Sequence, residues 1–201
     1  MNKLITFEGT DGVGKSTQIE LFINQLKLNE IDYVLFREPG GTNFSEKIRN
    51  ILLDNDNQMS SLSETLLFLA ARSDLVEKKI KPSLDKGLYV ICDRFLDSTL
   101  AYQSYGRGID LDLIKSITNS VVNETIPSTT FLLDADLDIC LSRINKKDRM
   151  ENEGKDFLNR VKNGFLELAY SNLNRYVIVD ANKNINDISD EIWKNFLERY
   201  R

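Results

Sequence analysis

The chain has 201 residues, of which 41% are hydrophobic and 28% are charged, and we expect one domain over residues 1–201. Its formal net charge of −5 argues against the broad basic surface of a duplex nucleic-acid binder, so no nucleic-acid partner is expected. The chain contains no histidine, which excludes catalytic triads, metal sites and general bases that depend on imidazole.

Five short apolar runs alternate with helical patterns along the chain. Each run is nearly continuous rather than alternating, which is typical of strands buried on both faces of a sheet. Apolar residues at helical spacing, such as Ile19, Phe22 and Leu26, separate the runs. Strands that alternate with helices predict an α/β fold with a parallel sheet. The predicted strands cover residues 4–7, 33–36, 88–92, 130–133 and 176–179.

A phosphate-binding loop follows the first predicted strand and precedes an amphipathic helix. It satisfies the pattern G-x-x-x-x-G-K-[ST]. Its glycines let the backbone wrap a phosphate, and the helix N-terminus adds a partial positive charge. Lys15 is placed to reach the outer phosphates, and Ser16 is placed to offer its hydroxyl to Mg²⁺. The predicted nucleoside triphosphate site comprises Gly9, Thr10, Asp11, Gly12, Val13, Gly14, Lys15, Ser16 and Thr17.

A helix predicted to begin near Ser61 is apolar on every side from Leu66 to Ala71. We interpret Ser61 and Glu64 as a capping box at its N-terminus. A helix that is apolar all round must be covered all round, which predicts burial against the sheet on one side and a second subunit on the other. The alternative is a helix covered by neighbouring elements of its own chain.

Charged residues follow the second and third predicted strands, at the edge where parallel sheets bind ligands. Glu38 comes after the second strand, and Asp93 and Arg94 come after the third. Asp93 is placed to hold Mg²⁺ or its water ligands, and Arg94 is placed to clamp phosphates during transfer. The alternative for Asp93 and for Arg94 is an ordinary surface ion pair.

A short basic segment at about residues 143–153, which we call the lid, contains Arg143, Lys146, Lys147 and Arg149. The phosphate loop carries no arginine. A lid closing over the phosphates would therefore supply the charge that stabilises phosphoryl transfer. The alternative is a solvated run of charges.

Residues 145–148 of the lid read NKKD and resemble the guanine-reading motif of GTPases. In GTPases that motif directly follows a strand, whereas here a helical pattern intervenes. The only D-x-x-G sequence lies inside the phosphate loop, so the switch motif of a GTPase is missing. A GTP-binding switch is thus the weaker alternative to a kinase.

Taken together, the motifs resemble the thymidylate kinase family of the bacterial type. The matching stretches occur in family order over the whole chain. They are residues 7–17, REPGGT at 37–42, FLAAR at 68–72, DRF at 93–95 with Ser98, AYQ at 101–103, GRG at 106–108 and DR at 148–149.

The resemblance implies a P-loop NTPase fold with a five-stranded parallel sheet flanked by helices, and a homodimer. It implies transfer of the γ-phosphate of Mg-ATP to dTMP, giving dTDP and ADP for dTTP synthesis. By resemblance, Asn182 lies near adenine. The remaining alternative among enzymes is a kinase of another nucleoside monophosphate or of a deoxynucleoside.

For the acceptor, the resemblance implies that Phe68 stacks on thymine, that Arg72 bonds its O4 and that Gln103 also faces the base. Tyr102 would lie under the sugar, where a 2′-hydroxyl would clash. The full dTMP set implied is Asp11, Glu38, Pro39, Arg49, Phe68, Arg72, Arg94, Ser98, Tyr102 and Gln103.

The resemblance also assigns catalytic roles. Arg49 and Arg94 would hold the monophosphate, and Asp11 would face the 3′-hydroxyl or the Mg²⁺ shell. The lid is shorter than is usual for the bacterial type, which leaves open whether Arg143 or Arg149 approaches the transferred phosphoryl group. The predicted catalytic set is Lys15, Arg94, Asp11, Arg149 and Arg143, and the predicted metal set is Ser16 and Asp93.

The remaining expectations concern location. No apolar run is long enough to span a bilayer, and the N-terminus has no signal-peptide pattern, so we expect a cytoplasmic protein without a membrane partner. Cys92 and Cys140 lie in apolar surroundings, which predicts buried, reduced thiols.

Overall fold

The computed structural model describes residues 2–144, 149–150 and 153–200. Five parallel strands form one sheet in the order β2-β3-β1-β4-β5, which confirms the predicted α/β fold. Each strand ends one residue beyond its predicted apolar run, on a charged residue. The strands are β1 (Leu4–Glu8), β2 (Tyr33–Arg37), β3 (Tyr89–Asp93), β4 (Thr129–Asp134) and β5 (Tyr176–Asp180).

Helices cover both faces of the sheet. Two π-helical segments, Val76–Ile80 and Leu100–Gly106, continue directly from α3 and α5. Such wide turns occur frequently at functional sites. The α-helices are α1 (Lys15–Leu28), α2 (Asn43–Leu53), α3 (Ser61–Leu75), α4 (Lys81–Asp85), α5 (Leu96–Thr99), α6 (Leu111–Val122), α7 (Leu137–Ser142), α8 (Lys155–Tyr170) and α9 (Ile185–Tyr200).

Two hydrophobic cores lie on opposite faces of the sheet, because successive side chains of a strand point to opposite sides. Leu4 belongs to the core shared with α8, and Ile5 belongs to the core shared with α1 and α9. In the second core, the rings of Phe22 and Phe196 pack with their centroids 5.2 Å apart. Burying each such side chain stabilises the fold by about 1.5–3 kcal/mol. The cores therefore hold the strand ends, and the polar groups they carry, in fixed positions.

The N-terminus of α3 differs from the prediction, because the capping residue is Ser60 rather than Ser61. The Ser60 hydroxyl accepts a hydrogen bond from the Ser63 N–H at 3.1 Å. Glu64 forms no capping box, because its carboxylate is turned into the protein and is held there by arginines. A local capping pattern was thus overridden by tertiary ion pairs.

Two further expectations are tested by the described residues. Cys92 and Cys140 are both free and buried, as predicted. None of the helices in the described ranges is both long enough and apolar enough to cross a membrane.

Candidate active site

A cleft of about 580 Å³ opens at the carboxyl ends of the central strands. Its lining joins the phosphate loop to the side chains predicted to bind the acceptor. These residues come from the loop after β1, from the segments after β2 and β3, and from α2 and α3. All ten residues predicted for dTMP line it: Asp11, Glu38, Pro39, Arg49, Phe68, Arg72, Arg94, Ser98, Tyr102 and Gln103.

The phosphate loop leads directly into α1, whose N-cap is Gly14 with φ +105°. Gly12 also has positive φ, and a Cβ there would lie 2.1 Å from the carbonyl oxygen of Cys140 at the end of α7. Any other residue at position 12 would therefore push the backbone of the loop away from the backbone of α7. The close approach of α7 explains why this position of the loop requires glycine.

Lys15 folds back over the phosphate loop. Its ammonium group donates to the carbonyl oxygens of Gly9 at 3.1 Å and Thr10 at 2.9 Å. Burial and the nearby Arg94 charge lower the pKa of Lys15 to about 8, although Asp11 and other carboxylates oppose that shift. A phosphate anion in the loop would favour the charged form of this lysine.

Arg94 links β3 to the phosphate loop through a dense set of bonds. Its guanidinium donates to Asp11 at 2.6 Å, to the Gly9 carbonyl at 3.0 Å and to the Ser98 hydroxyl at 3.0 Å. The Tyr102 hydroxyl donates to the other oxygen of Asp11 at 2.8 Å. Burial would raise the pKa of Asp11, but the charges of Arg94 and Lys15 outweigh burial and lower it to about 2.

The backbone at Arg94 has φ +68°, in the left-handed region that a side chain with a Cβ rarely adopts. Such a conformation costs about 1–2 kcal/mol. It turns the chain directly after β3, so that the guanidinium faces the loop rather than continuing along the strand. Backbone strain that is retained at a cleft is typical of functional positions.

A second ion pair lies on the acceptor side of the cleft. Arg72 is 2% exposed and pairs with Glu38 at 2.6 Å, and it also donates to the Thr99 hydroxyl at 2.7 Å. Burial raises the pKa of Glu38 above its ordinary value, although the ion pair opposes the shift. The arginine is thus fixed beside Phe68, one helical turn away on α3.

Ser16 and Asp93, the residues predicted to hold a metal ion, both line the cleft. Asp93 Oδ1 is buried without a hydrogen-bond partner among the described residues. A buried carboxylate oxygen of this kind suits a cation or its water ligands. Within the described ranges, no group of three or more acidic or cysteine side chains could enclose a metal ion.

The two lid arginines occupy different places. Arg143 lines the cleft and approaches the Gly12 carbonyl at 3.4 Å. Arg149 is not among the cleft-lining residues; it pairs with Glu64 at 2.7 Å and donates to the Leu52 carbonyl at 2.7 Å. The NKKD run at residues 145–148, with Lys146 and Lys147, lies outside the described residues.

Some predicted residues stand behind the cleft rather than in its lining. Asn182 follows β5, and its side-chain oxygen accepts from the Asp136 N–H at 3.1 Å, which ties together the loops after β4 and β5. Thr10 donates to the Cys140 sulfur at 3.8 Å. Gly9, Thr10 and Val13 are buried and are not among the cleft-lining residues, whereas the rest of the loop lines the cleft.

The sequence reasoning missed Glu64, Thr99 and Met150 as parts of the site. Thr99 and Met150 line the cleft. Glu64 is not in the lining but accepts a hydrogen bond from Gln103, which is. A signal for Glu64 was present, because residues 64, 68 and 72 share one face of α3 at four-residue spacing. Glu64 was instead interpreted as part of a capping box, so its place on the face of the site was not recognised.

The central parallel sheet and the phosphate loop after β1 define a P-loop NTPase fold, and the loop and side chains of α3 line one cleft. Residues 7–192 match the family described as "Thymidylate kinase". The chain belongs to the thymidylate kinase family.

Curated relatives agree over nearly the full length. A thymidylate kinase of Carboxydothermus hydrogenoformans is 45% identical over 199 residues, covering 98% of this chain and 97% of the relative. One from Kosmotoga olearia is 40% identical over 196 residues, covering 96% and 94%. The crystal structure of thymidylate kinase from Ehrlichia chaffeensis superimposes with a TM-score of 0.81 at 40% identity, covering 98% of each chain.

Proposed function

We propose that this protein transfers the γ-phosphate of ATP to dTMP, giving dTDP and ADP, and that one domain carries both sites. The observation that carries the proposal is the continuity of the cleft, in which Lys15 of the loop and Phe68 and Arg72 of α3 face the same volume. A phosphate-loop protein that only hydrolysed nucleotide would need no aromatic and arginine pair opposite its loop.

The residues of the cleft suit an in-line transfer. The loop and Lys15 hold the triphosphate, while Arg49 and Arg94 hold the acceptor phosphate facing it. Arg94 and Arg143 supply positive charge where negative charge spreads during transfer. No strong general base is needed, because a monophosphate oxygen is already anionic, which fits a chain without histidine.

The acceptor base is assigned to the face of α3. Phe68 offers a flat surface on which a base can stack, worth about 1–3 kcal/mol. Arg72 offers only hydrogen-bond donors, which suit the O4 carbonyl of thymine and disfavour the amino group of cytosine. Tyr102, whose hydroxyl donates to Asp11, is the residue proposed to exclude a ribose 2′-hydroxyl.

Mg²⁺ is proposed to accompany ATP, and Ser16 and Asp93 are the residues that would hold it or its waters. The ion would neutralise charge on the β- and γ-phosphates. Mg²⁺ commonly completes its shell with phosphate and water oxygens, so a site with few protein ligands suits it.

An acceptor panel tests the proposed activity. Purified protein with Mg-ATP is offered dTMP, dUMP, dCMP, dGMP, AMP and thymidine, and ADP release is followed. We expect rapid release with dTMP. Folded protein that releases no ADP with dTMP would refute the proposal, and a preference for guanine or adenine would contradict the roles given to Phe68 and Arg72. Tight GTP binding without acceptor dependence would instead support a switch.

We further propose a cytoplasmic homodimer formed through α2, α3 and α6. A single chain leaves Leu66 of α3 50% exposed and Phe44 of α2 49% exposed, and Leu62, Ile51 and Leu113 are similarly exposed on the same three helices. These helices pack side by side. Exposed apolar residues on adjoining helices suit a second copy of the chain better than water.

Light scattering on a sizing column tests the dimer. We expect twice the chain mass for the unchanged protein and one chain mass for Leu66→Glu, because a buried charge at the interface is costly. Leu173→Glu is the matched control, since Leu173 is 58% exposed beyond α8. An unchanged dimer in Leu66→Glu, or a monomer for the parent protein, would contradict the proposed dimer interface.

A further inference from the structure

Glu64 is a buried carboxylate with three cationic or amide partners beside the acceptor half of the cleft. The residue is 1% exposed. Arg107 donates to both of its oxygens, at 3.1 and 2.9 Å, and Arg149 pairs with it at 2.7 Å. Burial would raise the pKa of Glu64, but these bonds outweigh it and hold the pKa below its ordinary value. The carboxylate is therefore ionised and can only accept hydrogen bonds.

The amide of Gln103 is the third group at this carboxylate. Its nitrogen donates to Glu64 Oε1 at 3.1 Å. Because an ionised carboxylate cannot donate, the amide nitrogen must face Glu64 and the amide oxygen must face the other way. Gln103 is 2% exposed and lines the cleft together with Phe68 and Arg72.

We propose that Glu64 is a positioning residue that fixes the amide of Gln103 so that its carbonyl oxygen faces the acceptor base. A carbonyl at this place accepts a hydrogen bond from a ring N–H, as thymine and uracil offer at N3. Cytosine presents an acceptor at N3, so two acceptors would oppose each other. Glu64 thereby helps to select the base without touching it. The inference rests on the proposed function.

The same carboxylate joins base selection to the lid. Arg149 belongs to the lid, and Arg107 also pairs with Glu153 at the end of the lid at 2.6 Å. Arg149 additionally bonds the Leu52 carbonyl at the end of α2. The Glu64 carboxylate that holds Gln103 is thus bonded by Arg149 of the lid and by Arg107 in the turn after the second π-helical segment. Arg149 is in turn bonded to the end of α2.

The test is the ratio of kcat/KM for dTMP to that for dCMP in Glu64→Gln. A neutral amide at position 64 can donate as well as accept, so Gln103 is free to turn and present its nitrogen to the base. We expect the ratio to fall about tenfold, chiefly through a higher KM for dTMP. The KM for ATP should stay unchanged, because Glu64 does not contact the phosphate loop. A general loss of structure would change both KM values.

Two further variants separate orientation from packing. Glu153→Gln removes one ion pair of Arg107 but no bond to Gln103, so its ratio should equal that of the parent. In a Gln103→Leu background, Glu64→Gln should cause no additional fall in the ratio, because the group it orients is gone. Should Glu64→Gln fail to fold, Glu64→Asp retains the charge but draws the carboxylate back from Gln103, and we expect about a threefold fall.

The outcomes distinguish the inference from the activity on which it rests. A parent protein that does not phosphorylate dTMP would overturn the proposed function. A parent protein that prefers dTMP, with the same preference in folded Glu64→Gln or Glu64→Asp, would overturn the inference alone. An equal loss from Glu64→Gln with and without Gln103 would also overturn it.

Discussion

The two halves of the cleft are built in different ways. The half proposed to bind the triphosphate is one continuous stretch of backbone, residues 9–17, that leads into the N-terminus of α1. The half proposed to bind the acceptor is assembled from separate segments whose side chains hold one another, as in the pair Arg72–Glu38, and the pair Arg94–Asp11 joins this half to the loop. A backbone site depends on glycines at fixed spacing, whereas a side-chain site depends on the fold that brings its members together.

This difference decides what the sequence could predict. The phosphate loop could be predicted because its pattern is local, and the strands could be predicted because they are apolar and buried on both faces. The charged last residue of each strand was placed just outside the predicted strand, since the apolar runs stop before it. Those end residues, among them Asp93, lie at the edge that forms the site.

On the acceptor side, strand ends indicated Glu38 and Arg94, whereas the roles of Phe68, Arg72 and Gln103 could be predicted only through family resemblance. Four-residue spacing places Glu64 on the same face of α3 as Phe68 and Arg72, but no local pattern identifies its partners Arg107 and Arg149, which lie far along the chain. The capping pattern around Ser61 pointed the other way, because short-range rules do not include distant charges. The left-handed backbone conformation of Arg94 likewise could not be predicted, since the residues that usually signal positive φ are glycine and asparagine.

The largest expected effect comes from removing the charge of the triphosphate half. Lys15→Ala should lower kcat about 10²- to 10³-fold, because a positioned positive charge is lost where negative charge develops. Steady-state kinetics measures the loss, with Lys27→Ala as the control on the exposed face of the same helix. Near-normal turnover in folded Lys15→Ala would remove Lys15 from its role.

A smaller effect separates the halves by pH. Lys15, which is proposed to hold ATP, has a pKa of about 8 in the free protein, and bound phosphates would raise that pKa, so ATP binding should take up a proton. Affinity for a non-hydrolysable ATP analogue should therefore fall about tenfold between pH 7.5 and 9. Affinity for dTMP should stay constant over this range, because arginines stay charged. Calorimetry measures both.

Lys15→Arg is the control for the pH experiment, since arginine remains charged at pH 9. Its analogue affinity should not change with pH over the same interval. A parent protein whose ATP-analogue affinity is flat, or whose dTMP affinity falls in parallel, would break the contrast between the two halves.

The smallest effect concerns the junction of the halves. Arg94→Gly and Arg94→Ala both remove the guanidinium, but only alanine keeps the cost of positive φ. We expect the glycine variant to be about 1 kcal/mol more stable to urea unfolding, while both variants lose most turnover. Equal stability of the two variants would mean that the backbone at Arg94 stores no strain.

The central claim is that the two halves meet on a single transferred phosphoryl group. ATP with heavy oxygen in its γ-phosphate is incubated with dTMP, Mg²⁺ and the protein, and the products are analysed by mass spectrometry. We predict that the label appears in the terminal phosphate of dTDP in an amount equal to the ADP formed. Label recovered as inorganic phosphate, with dTMP unchanged, would contradict the account.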